Sequence, residues 1–133
     1  MDKIFPCLGG WEGSIVTAKM ILIKRAYDKP SPKDGRRFLV DRLWPRGLTK
    51  EALQIETWLK DAAPSDALRK WYSHDPDKWA EFKRRYTVEL RKNQAAWKPL
   101  ADAARRGTVT LVFSSRELEK NNAAALREFL QKR

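Results

Sequence analysis

Two apolar runs constrain this chain more than any other feature. Phe38-Leu39-Val40, inside Arg37–Leu43, is continuously apolar, and Thr108–Ser114 (TVTLVFS) is apolar and β-branched. Runs of this length, bounded by Gly, Pro and charge, read as strands covered on both faces. The long stretch between them reads mainly as helix, and strands joined by a long helical crossover lie parallel. Residues 20–26 (MILIKRA) form a third strand-like run. The expected fold is therefore α/β. It is a single small domain with a short, mainly parallel sheet of three principal strands flanked by four to five helices. The connection over 27–36 is short enough to leave an antiparallel first pair open.

Thr49 is a good N-cap for a helix over about 50–62, with Ala52, Ile55, Leu59 and Ala62 at helical spacing. Pro64 stops it, and Ser65 can cap a short helix through Tyr72. Asp75-Pro76 opens the next, whose stripe is Trp79, Phe82, Tyr86 and Leu90. Pro99 kinks that run or begins a new helix ending at Gly107. Asn121 or Asn122 can cap a last helix reaching about Gln131. Trp58, Trp71, Trp79 and Trp97 all fall on expected helices, where aromatic stripes are usually core.

The 133 residues suit one domain. Residues 1–19 carry a Gly-Gly pair, no clear period and no net charge. They read as an N-terminal extension upstream of a natural start at Met20, or as an arm packing through Ile4, Phe5, Leu8, Trp11 and Ile15. No secretory signal is evident there. Residues 20–133 form the domain.

With Cys7 and His74 the single residues of their kinds, a disulfide scaffold is excluded and a Cys/His metal site nearly so. No metal or cofactor is expected, and no GxGxxG, P-loop, HExxH or CxxC occurs. No apolar run approaches a membrane span, so a cytoplasmic protein is expected. His74, in Ser73-His74-Asp75-Pro76, reads as a turn residue rather than a catalyst.

The formal net charge is +11. Nine basic residues against three acidic place +6 of it in residues 20–50, and 1–19 sum to zero. In open α/β sheets, ligands bind beyond the carboxyl ends of strands. Two segments qualify. Asp41, Arg42, Trp44, Pro45, Arg46 and Gly47 follow the second strand; Ser114, Ser115, Arg116 and Asn121 follow the last and lead into a helix. If the strands are parallel, both meet at one edge. Guanidiniums, hydroxyls and helix-start N–H groups there suit a phosphate or carboxylate. The anion-binding candidates are Arg42, Arg46, Ser114, Ser115, Arg116 and Asn121, supported by Asp41, Trp44, Gly47 and Asn122. Asp41 reads as the partner fixing Arg42, or as a general base; Trp44 reads as a core or lid plug. No catalytic residue is assigned. Ser114 and Ser115 lack a histidine partner nearby and a nucleophile-elbow pattern. The alternatives to a small anionic ligand are nucleic acid, held on the basic faces of 20–50 and 83–92, and a ligand-free partner-binding domain.

Three strings carry a resemblance: Ile23-Lys24-Arg25-Ala26-Tyr27-Asp28, Val40-Asp41-Arg42-Leu43-Trp44-Pro45-Arg46-Gly47, and Leu111-Val112-Phe113-Ser114-Ser115 with Asn121-Asn122-Ala123. They resemble the YeaO-like group of small bacterial proteins, a family of unknown function, over about residues 20–133. Some members carry a uroporphyrin-III methyltransferase label, which this short chain without a glycine-rich cofactor loop does not support. The family usually has Asn-His-Ala where this chain has Asn121-Asn122-Ala123. An amide does not titrate, so Asn122 cannot take over any proton transfer by that histidine, although it still donates and accepts hydrogen bonds.

Overall fold

A computed structural model describes residues 20–133; the extension expected over 1–19 lies outside the described residues. The strands are β1 (Ile21–Arg25), β2 (Arg36–Leu39), β3 (Thr57–Trp58) and β4 (Val109–Phe113). The helices are α1 (Lys50–Leu53), α2 (Asp66–Tyr72), α3 (Trp79–Lys92), α4 (Gln94–Arg106) and α5 (Asn122–Lys132). The sheet order is β1-β4-β2-β3, and every pair is parallel. β4, the most apolar strand, is central and buried along its whole length. Ile23 and Phe38 both stand opposite Leu111 in register.

β1 and β2 therefore flank β4 instead of pairing with each other, and the antiparallel option falls. The chain returns from one side of β4 to the other through 26–35, a crossover holding one 3-10 turn, Pro32–Asp34. Gly35 makes the return fit. Its φ is +65, and a Cβ there would meet Thr108 O at 2.2 Å.

The fourth strand is a correction. The helix expected over 50–62 ends at Leu53, and Gln54 leaves it in the left-handed region (φ 51). The chain then extends, so that Phe38 pairs with Thr57 and Leu39 with Trp58. Trp58 is thus a strand residue, not a helical one. The β-branched Ile55 and Thr57 suit the extended state, and the sheet edge supplies partners that an isolated helix would not. A second correction concerns Pro99, which lies inside α4; the break between α3 and α4 falls at Asn93.

Strand alternation divides the core in two. One sheet face, with Ile21, Phe38, Val109, Leu111 and Phe113, packs against buried residues of α2 to α5, among them Phe82, Tyr86, Leu100 and Leu126. The other face packs Leu39 and Val112 against Leu53, Trp44, Leu48, Ile55 and Trp58 from the 44–58 segment. That face also holds a buried charge cluster. Asp34 accepts from Arg37 Nη1 at 2.7 Å and from Lys24 Nζ at 3.2 Å, while Arg37 also donates to Leu53 O. Burial alone would raise the Asp34 carboxyl. The Ser31 N–H, Lys24 and Arg37 outweigh that and hold it below its usual value.

Candidate functional site

All four strands run the same way, so the loops after β1, β2 and β4 gather at one edge of the sheet. α2 and the turn after it close the far side. Between them lies a cleft of about 860 Å³. Its lining includes six cationic residues, Arg25, Arg42, Arg46, Arg69, Lys70 and Arg116, and one carboxylate, Asp41.

Asp41 holds the edge together. Its Oδ2 accepts from the Ser114 N–H (2.8 Å) and the Ser114 hydroxyl (2.7 Å), and its Oδ1 accepts from the Asn122 amide (3.0 Å). Asn122 donates to Val40 O as well. One side chain thus ties the end of β2 to the end of β4 and to the start of α5. Arg42 does not pair with Asp41. It donates to Pro64 O (3.1 Å) and Ala63 O (3.3 Å), fixing the backbone that leads into α2. That segment is braced from behind by the Tyr86 hydroxyl on Ala62 O and by Glu89, which accepts from the Ser65 N–H and hydroxyl. Burial pushes the Tyr86 hydroxyl far above its ordinary range, so it stays a neutral donor.

The loop after β4 is equally constrained. Ser115 Oγ accepts from Glu117 N–H, and the Glu117 carboxylate accepts from the Lys120 and Glu119 N–H groups, which lower its pKa. Asn121 caps α5 through Ala124 N–H and donates to Glu117 O. It is buried, and its amide is committed to this loop. The Tyr72 hydroxyl donates to Lys120 O. The result is a stiff loop carrying Arg116 at its exposed start.

Trp44 is half-buried against Trp58, edge to face at 5.5 Å, and its indole donates to Leu48 O. Gly47 (φ 81) makes the turn after Pro45 and is not part of the lining. The other residues expected from the sequence line the cleft: Asp41, Arg42, Trp44, Arg46, Ser114, Ser115, Arg116, Asn121 and Asn122. Arg46 and Arg116 stand apart from the rest. Both are exposed, and neither side chain makes a hydrogen bond or ion pair among the described residues.

The structure adds residues that the sequence did not single out. Arg25, at the end of β1, donates to Ser115 O (3.0 Å) and Ser114 O (3.2 Å). Tyr27 follows it, and Arg69 and Lys70 come from α2; His74, read from the sequence as a turn residue, lies in the turn after α2 and also lines the cleft. Ser73 and His74 both have positive φ, which turns the chain back toward Asp75.

Fold and site define a small parallel α/β domain with a cationic cleft at the carboxyl ends of its strands. The chain belongs to the family described as the inactive DUF488-N3 subclade, whose profile matches residues 20–133. It is 39% identical over 119 residues to the uncharacterised protein Mb3100c of Mycobacterium bovis and to the uncharacterised protein Rv3073c of Mycobacterium tuberculosis. Those alignments cover 90% of this chain and 100% of each relative. It is also 39% identical over 111 residues to the uncharacterised protein YeaO of Escherichia coli, covering 84% of this chain and 96% of that one. The expected kinship with YeaO-like proteins is thereby shown. No solved structure matches significantly.

Proposed function

We propose that the cleft binds a phosphate- or carboxylate-bearing small molecule and that Arg46 and Arg116 are its principal contacts. One observation carries this reading: among the described residues, six cationic residues and one carboxylate, Asp41, line one cleft, and after Asp66 beside Arg69 and Arg42 is counted the cationic residues still outnumber the carboxylates. The remaining positive potential is concentrated by the apolar walls behind it. Arg25 and Arg42 add charge while holding carbonyls, so in this reading they shape the site and attract the ligand at longer range. Asn121, with its amide committed to the α5 cap, plays the same supporting part.

The reading is of binding rather than turnover. Ser114 donates to Asp41, Asn122 cannot titrate, and the family's own description is of an inactive subclade. The proposed setting is the cytoplasm; among the described residues, no helix is long and apolar enough to cross a membrane. Nucleic acid is less favoured. Much of the basic surface it would use is paired internally: Arg36 with Glu56, Arg84 and Arg85 with Glu81, and Lys83 with Glu128.

A thermal-shift panel of inorganic phosphate, nucleotides and organic acids tests the proposal. At least one anion is expected to raise the melting temperature of the wild type and not that of an Arg46→Ala/Arg116→Ala variant. Equal stabilisation of both proteins, or none by any anion, would overturn it.

A further inference from the structure

Tyr27 is one of the few large apolar side chains left in solvent, 45% exposed, and it lines the cleft. Exposed tyrosines on loops are usually unremarkable. This one is fixed. Its hydroxyl donates to Arg46 O at 2.9 Å. The Arg25 guanidinium carbon lies 5.1 Å from the ring centroid, a cation–π distance, and Arg25 is itself held by two β4-loop carbonyls. The backbone is pinned just before it, where Ala26 N–H donates to Phe113 O. The ring is thus a preorganised aromatic surface bonded to the backbone of the residue whose guanidinium is proposed to meet the anion. Its separation from the Arg46 backbone is set before any ligand arrives.

Two further observations bear on what would use such a surface. The cleft, about 860 Å³, far exceeds an inorganic anion and falls in the range of organic-ligand pockets. Trp44, Tyr72 and Phe82 add apolar lining for an organic body. The excess of cationic residues over carboxylate matches several negative charges better than one.

Resting on the anion-binding reading above, we infer that the ligand is a nucleotide whose base stacks on Tyr27 and whose phosphates meet Arg46 and Arg116. Stacking tolerates any base because every base has a π-face, and it grows with ring area, so purines bind better than pyrimidines.

Calorimetric titration at low salt with ATP and with inorganic tripolyphosphate separates this inference from the reading beneath it. The two probes share a phosphate chain, and only one has a base. In the wild type, ATP is expected to bind about tenfold more tightly, the size of one base–aromatic stack. Tyr27→Ala is expected to bring the affinities for ATP and tripolyphosphate together, whereas Tyr27→Phe, which loses only the hydroxyl, keeps most of the preference. If Tyr27→Ala fails to fold, Tyr27→Leu, which retains bulk without a flat face, carries the same expectation. Equal affinities in the wild type, or a preference that survives loss of the ring, would overturn the nucleotide assignment and leave the anion cleft standing. Binding of neither probe would overturn the nucleotide assignment and strike phosphate from the reading beneath it, leaving a carboxylate ligand as its only form.

Discussion

The side-chain amide of Asn122 donates to Asp41 Oδ1 at 3.0 Å, on the opposite side of the carboxylate from the two bonds it accepts from Ser114. The resemblance described above implies histidine at this position in YeaO-like proteins. A histidine there would face an anion that Ser114 already orients, whereas asparagine makes the contact without a titrating group. The same pair joins β2 to α5, so it bears on both chemistry and fold.

Asn122→His is therefore expected to give an imidazole that titrates above the ordinary value of about 6.5, because the Asp41 carboxylate favours its charged form. A folded pKa raised above the unfolded one adds stability that is fully present below the unfolded value and is lost as pH rises through the folded value. An NMR pH titration of the imidazole checks this; a midpoint at or below 6.5 would contradict it.

Asp34 is the hub of the buried Lys24–Asp34–Arg37 cluster. Asp34→Asn leaves the Arg37 and Lys24 charges without their counterion, at a cost of about 3 kcal/mol in denaturant unfolding at pH 7. The pH dependence has a definite sign. The folded carboxyl lies below its ordinary 3.8, so its contribution is present above that value and is lost as pH falls through the lower folded value. The gap between wild type and Asp34→Asn should narrow in that acid range. A gap that is constant from pH 7 into strong acid would show that the charge is not the stabilising element.

Gly35→Ala is expected to cost about 3 kcal/mol or more. The position combines a positive φ with a Cβ placed 2.2 Å from the Thr108 carbonyl oxygen, which belongs to the backbone entering the central strand and cannot rotate away. Gly47→Ala meets no atom within 4 Å and should show only the smaller cost of its own φ of +81. Equal destabilisation of the two variants would refute the role given to the 26–35 crossover.

The arginines of the cleft should separate by phenotype. Arg42→Ala removes the donor that satisfies Pro64 O and Ala63 O and should lower stability by about 2 kcal/mol. Arg46→Ala and Arg116→Ala remove exposed side chains without internal partners, and each should change stability by less than about 0.5 kcal/mol. Urea unfolding of the three variants makes the comparison, and a reversed order would mean that Arg42 is not the structural member.

The central architecture was legible because it depends on local apolar pattern. Phe38–Val40 and Thr108–Ser114 had few other readings, and the helical stretch between them required parallel strands. β3 was not legible. Ala52, Ile55 and Leu59 fit helical spacing, and the residue that ends α1 is Gln54, in a conformation more often marked by Gly or Asn. Pairing with β2 decided the matter, and such pairing is tertiary. The site divides in the same way. Parallel strands brought the loops after β2 and β4 together as the sequence implied. Arg25 could not be anticipated because its partners lie in the loop after β4, about 90 residues further along the chain, and Arg42 proved to be held by the Ala63 and Pro64 carbonyls, with Asp66 at 4.0 Å, rather than by the neighbouring Asp41. The role of Tyr27 depends on where Arg46 sits, which no local pattern encodes.

In the proposed function, Arg46 and Arg116 complete an anion site at the carboxyl edge of the sheet. The most direct measurement is calorimetric titration of tripolyphosphate and citrate into the wild type and the Arg46→Ala/Arg116→Ala variant at low salt. Saturable binding of at least one of them to the wild type is expected, weakened tenfold or more in the variant while its unfolding transition is unchanged. Absence of binding to the wild type, or equal affinity in the two proteins, would contradict it.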